Sequence, residues 1–327
     1  MAKVSRRTFL SFGIGAATLH AVPRFAWSQS YPTRSVRIVV GFTAGGSTDI
    51  GARLIGQWLQ ERLGQPFVIE NRPGAGTNIA TEAVVHAAPD GHTLLMVGPS
   101  SAVNATLYDK LNFEFLRDIA PIASLIRQPQ ILLVGPSVLA KTVPELIAYA
   151  KANPGKINYA SFGIGSAPNM TGELLKLMAG IDLVHVPYRQ SPVPDLLGRQ
   201  VQAFFGPMPI TISLVRSGKL RALAVSSAKR SDALPDVPAV AELLPGFEAN
   251  IWHGIGAPKG TPKDIIATLN KEINVILATP QTKEKFTNIG GAALGGTPEE
   301  YGKFIAAEVD KWAKVIKAAN IRPVAEH

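Results

Sequence analysis

Val36–Asp49, VRIVVGFTAGGSTD, decides the architecture of this chain. Val36, Ile38, Val39 and Val40, with Phe42 beyond Gly41, form an apolar, β-branched run that reads as a buried strand. Gly45 and Gly46 permit a tight turn, and Ser47, Thr48 and Asp49 offer capping oxygens. The helix that follows carries apolar residues at Ile50, Leu54, Ile55, Trp58, Leu59 and Leu63. A strand, a glycine turn and a helix N-terminus together present free N–H groups and a positive dipole end to an anion. A carboxylate and a phosphate both satisfy that loop, so the remainder of the chain has to choose between them.

Working outward, Phe67–Glu70 is a second short strand. Asn71-Arg72-Pro73-Gly74-Ala75-Gly76-Thr77-Asn78 is a second glycine turn, leading into a helix from about Thr77 to Ala87. Thr93–Val97 is a third strand, ending at Gly98-Pro99-Ser100-Ser101. Strands alternating with helices at this spacing predict an α/β fold with a mainly parallel sheet. The loops named lie at carboxyl ends of strands, where open α/β sheets take their ligands. Composition shifts near Arg127-Gln128-Pro129, and a second series begins at Gln130–Val134. Thr142-Val143-Pro144-Glu145 opens a helix with a capping box. Strand Ile157–Ala160 then feeds Ser161-Phe162-Gly163-Ile164-Gly165-Ser166, a third glycine loop, and a helix stopped by Gly180. Strands follow at Leu183–Val186, Val201–Phe205 and Leu220–Val225. From about Ile251 helical wrapping is expected, with Thr261-Pro262 and Thr297-Pro298 as helix starts and a last helix over Pro298–Ala319. The chain thus divides into residues 30–128 plus 251–327 as one lobe and 129–250 as the other. Two crossings, near 128 and 250, make a hinge around a closing cleft.

The first thirty residues are set apart. Lys3, Arg6 and Arg7 precede the apolar run Leu10–Val22, too short to span a bilayer as a helix but fitting a signal segment. Ser5-Arg6-Arg7-Thr8-Phe9-Leu10 carries the twin-arginine signature, and Ala26-Trp27-Ser28 offers small residues for cleavage, so residues 1–29 read as an export leader. Removing it takes four cations and no acid, lowering the formal charge of +9 to +5. That mild excess favours anionic ligands. No Lys/Arg stripe with interleaved aromatics marks a nucleic-acid surface. The chain has no Cys, which excludes disulfides, thiolate catalysis and cysteine metal sites.

Chemical inventory argues against an enzyme. Gly41–Asp49 lacks the Gly-Lys-Ser/Thr ending of a P-loop, and Ser161–Ser166 lacks the third glycine and distal acid of a dinucleotide fingerprint. The six His (His20, His86, His92, His185, His253, His327) show no metal-ligand spacing, so no metal is expected. Ser226-Ser227-Ala228-Lys229 matches S-x-x-K without its partner motifs, and G-x-S-x-G is absent. Arg189 could pair bidentately with a ligand carboxylate or with a surface acid. Trp252 and Phe42 could line the cleft or serve as core.

Several segments together resemble a known family: VGFTAGGSTDIGARLIGQWLQERLGQPFVIENRPGAGTNIA, DGHTLLM, NYASFGIGSAPNMTGELLK, VPYRQ, LLGRQVQ, SGKLRALAV, ALPDVPAVAELLPGFE and GAPKGTP. In order and across the mature chain they are similar to the periplasmic solute-binding receptors of tripartite tricarboxylate transporters, the Bug family. The resemblance implies a two-lobed, Venus-flytrap (type II-like periplasmic binding protein) fold that traps a small organic acid and passes it to a two-subunit membrane permease. It implies no cofactor, no catalysis and a monomeric receptor. Carried onto this chain, the first-lobe grip falls on Phe42, Thr43, Ala44, Gly45, Gly46, Asp49, Gly74, Ala75, Gly76 and Ser100. The second-lobe grip falls on Ser161, Gly163, Gly165, Ser166, Asn169, Tyr188 and Arg189. The chain departs from the pattern at Gly41 (usually proline), Thr77 (usually glycine), Asn169 (frequently histidine) and Ala203 (often aspartate), and it is shorter after Tyr188. These departures point to the side of the pocket that chooses the acid. A secreted hydrolase using the same cleft, or a sensor that signals to a membrane kinase, are the rival functions.

Overall fold

A computed structural model describes residues 31–323; the leader expected over residues 1–29 lies outside the described residues. The first sheet uses β1 (Val36–Val40), β2 (Phe67–Asn71), β3 (Thr93–Val97) and β4 (Ile119–Gln128). The helices between them are α1 (Ser47–Leu63), α2 (Asn78–Val85), α3 (Pro99–Leu107) and the single turn α4 (Phe115–Asp118). The second sheet uses β5 (Gln130–Val134), β6 (Asn158–Ser161), β7 (Val184–Pro187), β8 (Ala203–Pro207) and β9 (Arg221–Val225). Among these strands run α5 (Val143–Ala152), α6 (Ala167–Ala179), α7 (Val193–Leu197) and α8 (Met208–Arg216). The chain then returns to the first sheet through β10 (Ile251–Pro258), α9 (Lys263–Ala278), α10 (Pro280–Asn288), β11 (Ala292–Ala293) and α11 (Pro298–Ala319).

Strand order is β11-β4-β10-β3-β1-β2 in one sheet and β7-β6-β8-β5-β9 in the other. Both are mixed. β2, β1 and β3 run parallel, as do β7, β6 and β8, so the parallel expectation holds where βα units supply the strands. The strands adjoining the crossings run antiparallel: β10 against both β3 and β4, and β5 against both β8 and β9. A single residue, Pro129, separates β4 from β5, and a proline there has no N–H to extend one ladder into the next.

Side-chain alternation along β1 explains the layering. Val36, Ile38 and Val40 pack with Ile55 and Leu59 of α1 and Leu269 and Ile273 of α9, whereas Val39 faces Ala80 and Val84 of α2. The second sheet is likewise covered on both faces. Such strands read as unbroken apolar runs because neither face meets water.

Two expectations of the sequence reading are overturned. IWHGIGAP, expected within helical wrapping, is instead β10, buried along its whole length. It has no alternation because both faces are covered, and Gly254 is obligatory there: a Cβ would fall 2.1 Å from the Tyr301 hydroxyl. Thr261 does not cap α9. Pro262 occupies the cap position, and the buried Thr261 hydroxyl donates to the Pro258 carbonyl. Thr297 does cap α11 as expected, and it does so in a capping box, with Glu300 answering at the Thr297 N–H.

α11 joins the two cores. Tyr301 and Ile305 near its start pack with β3, α2 and β10, whereas Trp312, Val315 and Ile316 near its end pack with α6 and the second sheet. Between them the Glu308 carboxylate accepts hydrogen bonds from the indole N–H of Trp252 (2.9 Å) and of Trp312 (3.0 Å). Trp252 is therefore core and not cleft wall. Among the described residues no helix is long and apolar enough to cross a membrane.

Candidate ligand-binding site

A cavity lies between the carboxyl ends of the two sets of parallel strands. Its first-lobe wall comes from the loop after β1 (Gly41, Phe42, Thr43, Gly46), the first turn of α1 (Ser47, Thr48), Thr77, Met96 and the start of α3. Phe162, the start of α6 and Pro207 close it from the second lobe, and Ile251 and His253 of β10 form its floor.

What distinguishes this cavity is where helices begin. α1, α3, α6 and α8 all start on its wall, at Gly46, Gly98, Ser166 and Pro207. None of the four has a side-chain cap. In α1 the first ladder bond runs from Ile50 N–H to the Gly46 carbonyl, so the amides of Ser47, Thr48 and Asp49 precede the ladder. In α6 it runs from Met170 N–H to the Ser166 carbonyl, leaving the amides of Ala167 and Asn169 ahead of it. N-termini without caps leave donors and partial positive charge for an incoming anion. No Asp, Glu, Lys or Arg lines the wall, so the field there is that of the main chain. Among the described residues no group of metal-binding side chains assembles.

The loops are held from behind. Asp49, nearly buried, accepts from Gly45 N–H (2.9 Å), Arg53 and Asn71. Burial pushes its pKa up, but Arg53, the Gly45 N–H and Asn71 outweigh that and hold the carboxyl below its usual range. Asn104 of α3 donates to the Gly76 carbonyl (2.6 Å), while Ser100 donates to the Gly165 carbonyl (3.2 Å). α3 thereby fastens a loop from each lobe. On the second lobe Asn169 accepts from Gly165 N–H (3.0 Å) and donates to the Tyr159 hydroxyl, which donates to the buried Glu173 (2.5 Å). Ser161 accepts from Gly163 N–H and lies 2.6 Å from His185 Nε2. His253 Nε2 lies 3.0 Å from the Thr48 hydroxyl. Burial lowers the pKa of His253, and of His185, to about 4, so both rings are neutral near pH 7.

Of the residues singled out from sequence, the structure puts Phe42, Thr43, Gly46, Ser100 and Ser166 on the cavity wall. Gly45, Asp49, Gly76, Ser161, Gly163, Gly165 and Asn169 stand behind it and shape the loops through the bonds just described. Ala44, Gly74 and Ala75 belong to the loop surfaces outside the wall. Tyr188 donates to Asp195 (2.8 Å), and Arg189 is exposed; neither is part of the wall. The wall also holds Met96, Pro207, Ile251 and His253, which sequence reasoning did not single out, and Thr77, Ser101 and Phe162, which it named within the loops without assigning them a contact. Pro99 directly after Gly98 is a helix-start signal that would have exposed α3.

The family model described as tripartite tricarboxylate transporter family receptor matches residues 51–321. The chain belongs to that receptor family. BugT of Bordetella pertussis is 39% identical over 300 residues, covering 90% of this chain and 92% of BugT. Among solved structures, R. palustris Rpa4515 with adipate superposes with a TM-score of 0.85 at 36% identity, over 90% of this chain and all of that one. The periplasmic binding protein BugD gives 0.81 at 35% identity over 90% of this chain and all of BugD. MatC of Rhodopseudomonas palustris with bound malate gives 0.81 at 32% identity, over 88% of this chain and all of MatC. These Bug-type relatives make the two-lobed receptor fold that of this chain as well.

Proposed function

We propose that this receptor captures a small organic carboxylate in the periplasm and hands it to a two-subunit permease of the tripartite tricarboxylate type. It acts as a monomer, by lobe closure and without covalent chemistry. The observation that carries this reading is the convergence of four uncapped helix N-termini, two from each lobe, on one cavity. Fixed main-chain dipoles in a shielded cleft stabilise an anion without reorganising. Donors from both lobes mean that the bound acid itself bridges the jaws. Adipate and malate in the related structures are acids of this kind. The export leader read over residues 1–29 and the periplasmic relatives agree on the compartment.

A thermal-shift screen over mono-, di- and tricarboxylates and aromatic acids tests the proposal. An acid present at about 100 times its Kd adds about 2.7 kcal/mol of stability. For a chain of this size that is a rise of roughly 4 °C. A flat response to every acid, alongside turnover of an ester, would overturn it in favour of a hydrolase.

A further inference from the structure

We infer that the acid this cavity selects carries no ammonium group: a carboxylate on a hydrocarbon or aromatic body, with α-amino acids rejected. The inference rests on the receptor reading above and narrows it. An ammonium desolvated in a cleft is best paired by a carboxylate, and the wall supplies none. It contains no Asp or Glu. The nearest acid in sequence, Asp49, already serves Arg53, Asn71 and Gly45. Five of the wall carbonyls are likewise engaged. Phe42 O accepts from the Asn71 amide (2.9 Å), Gly46 O from Ile50 N–H, Gly98 O from Ser101 N–H, Ser166 O from Met170 N–H, and Pro207 O from the Thr211 hydroxyl (2.9 Å). The four helix starts place partial positive charge around the same space, which opposes a cation as strongly as it favours a carboxylate. Between them stand Phe42, Met96, Phe162, Pro207 and Ile251, surfaces that fit an unsubstituted carbon body. Leaving a charged group desolvated and unpaired is how a site rejects the wrong ligand.

The test is a calorimetric and thermal-shift comparison of matched pairs on the mature protein: succinate with aspartate, glutarate with glutamate, phenylacetate with phenylglycine. At least one deaminated acid is expected to bind, with its amino counterpart at least about 100-fold weaker. An amino acid binding within tenfold of its deaminated partner, or alone, overturns the inference and leaves the receptor standing. Silence from both members of every pair, and from the wider acid screen, overturns the receptor reading itself.

Thr77 carries a second, independent inference. Its φ of +88° puts a β-branched residue in the left-handed region that favours glycine. Its hydroxyl is buried without a hydrogen-bond partner, and the residue, 7% exposed, lines the cavity. A Cβ on Gly41 would lie 2.5 Å from the Thr77 Cβ, so the absence of a side chain at 41 is what makes room for Thr77. Strain and an unsatisfied polar group kept together at a cavity wall point to function. The geometry points to the Thr77 hydroxyl as a side-chain donor to the ligand carboxylate, held in place at the expense of the empty protein.

Thr77→Val keeps the shape and the strain and deletes the donor; Thr77→Ser keeps the donor. Against each of succinate, glutarate and adipate that shifts the wild type, Thr77→Val is expected to weaken binding about tenfold, with Thr77→Ser within threefold of wild type. Thr77→Gly is expected to raise the Tm of the empty protein while weakening binding. Wild-type affinity in Thr77→Val overturns the role, and so does a wild-type protein blind to all three acids.

Discussion

Removing the Glu308 side chain should separate the two tryptophans it joins. In the folded protein one carboxylate oxygen accepts from both Trp252 Nε1 and Trp312 Nε1, and both indoles are 1% exposed. Glu308→Ala leaves two buried N–H donors without an acceptor, each costing about 1–3 kcal/mol. Water can enter along the partly open Lys311 side, so a total near the lower middle of that range, about 3 kcal/mol, is expected. An unfolding entropy of about 2.1 cal/mol/K per residue over roughly 300 residues converts this into a Tm drop of about 5 °C. Glu308→Gln keeps one oxygen acceptor and should cost about 1 kcal/mol, because a neutral acceptor replaces a charged one. Urea and thermal melts of wild type, Glu308→Ala, Trp252→Phe and the double variant form the assay. With Trp252 replaced, only one donor remains to be orphaned, and the cost of Glu308→Ala should fall by about half. A Glu308→Ala cost below about 0.5 kcal/mol, or one unchanged by Trp252→Phe, would show that the shared acceptor does not hold β10 to α11.

Two further outcomes are expected. Gly165→Ala puts a Cβ at φ +77° and 2.7 Å from Leu107 Cδ2, so the second-lobe loop must shift away from α3; titration calorimetry with the best acid of the screen should show at least a tenfold loss, about 1.4 kcal/mol. His185 and His253 have folded pKa values near 4 against an ordinary 6.5, so the unfolded chain takes up protons first; denaturation at stepped pH should show their stabilisation whole above about pH 6.5 and declining as pH falls toward 4, with a shallower decline in His185→Asn.

How much of this was legible in the sequence depended on whether the signal was local. The β1–loop–α1 unit and the bounds of α11 could be read directly, because strand composition, glycine turns and a Thr-Pro-x-Glu start each act within a few residues. α3 was not, since Pro99–Asn104 is buried on nearly every side and so lacks a polar face to give it a 3.6-residue period. β10 was hidden for the same reason in a different geometry. The cavity wall was legible at the glycine loops after β1 and β6, and illegible at the direct β8–α8 junction and on the strands β3 and β10. Ile251 and His253 reach it because β10 inserts between β3 and β4, and Met96 reaches it from β3 itself. Thr77 was visible as a departure from the family pattern, but its pairing with Gly41 is a contact across 36 positions that neither residue announces.

That contact also changes where ligand choice should be sought. By sequence alone the departures at Asn169, at Ala203 and after Tyr188 point to the discriminating side. Ala203 is core, pairing with Tyr159 and Val134 in the second sheet, and Asn169 holds Gly165 N–H from behind the loop. Both can act on a ligand only through the backbone position they set. In the proposed grip the main anchoring donors are main-chain amides, whose chemistry does not depend on the side chain present, so a receptor of this design can exchange wall residues without losing its hold on a carboxylate. In this chain the exchangeable wall is Phe42, Thr77, Met96, Phe162 and Ile251, and discrimination among acids should follow the shape and the single hydroxyl that those five residues offer.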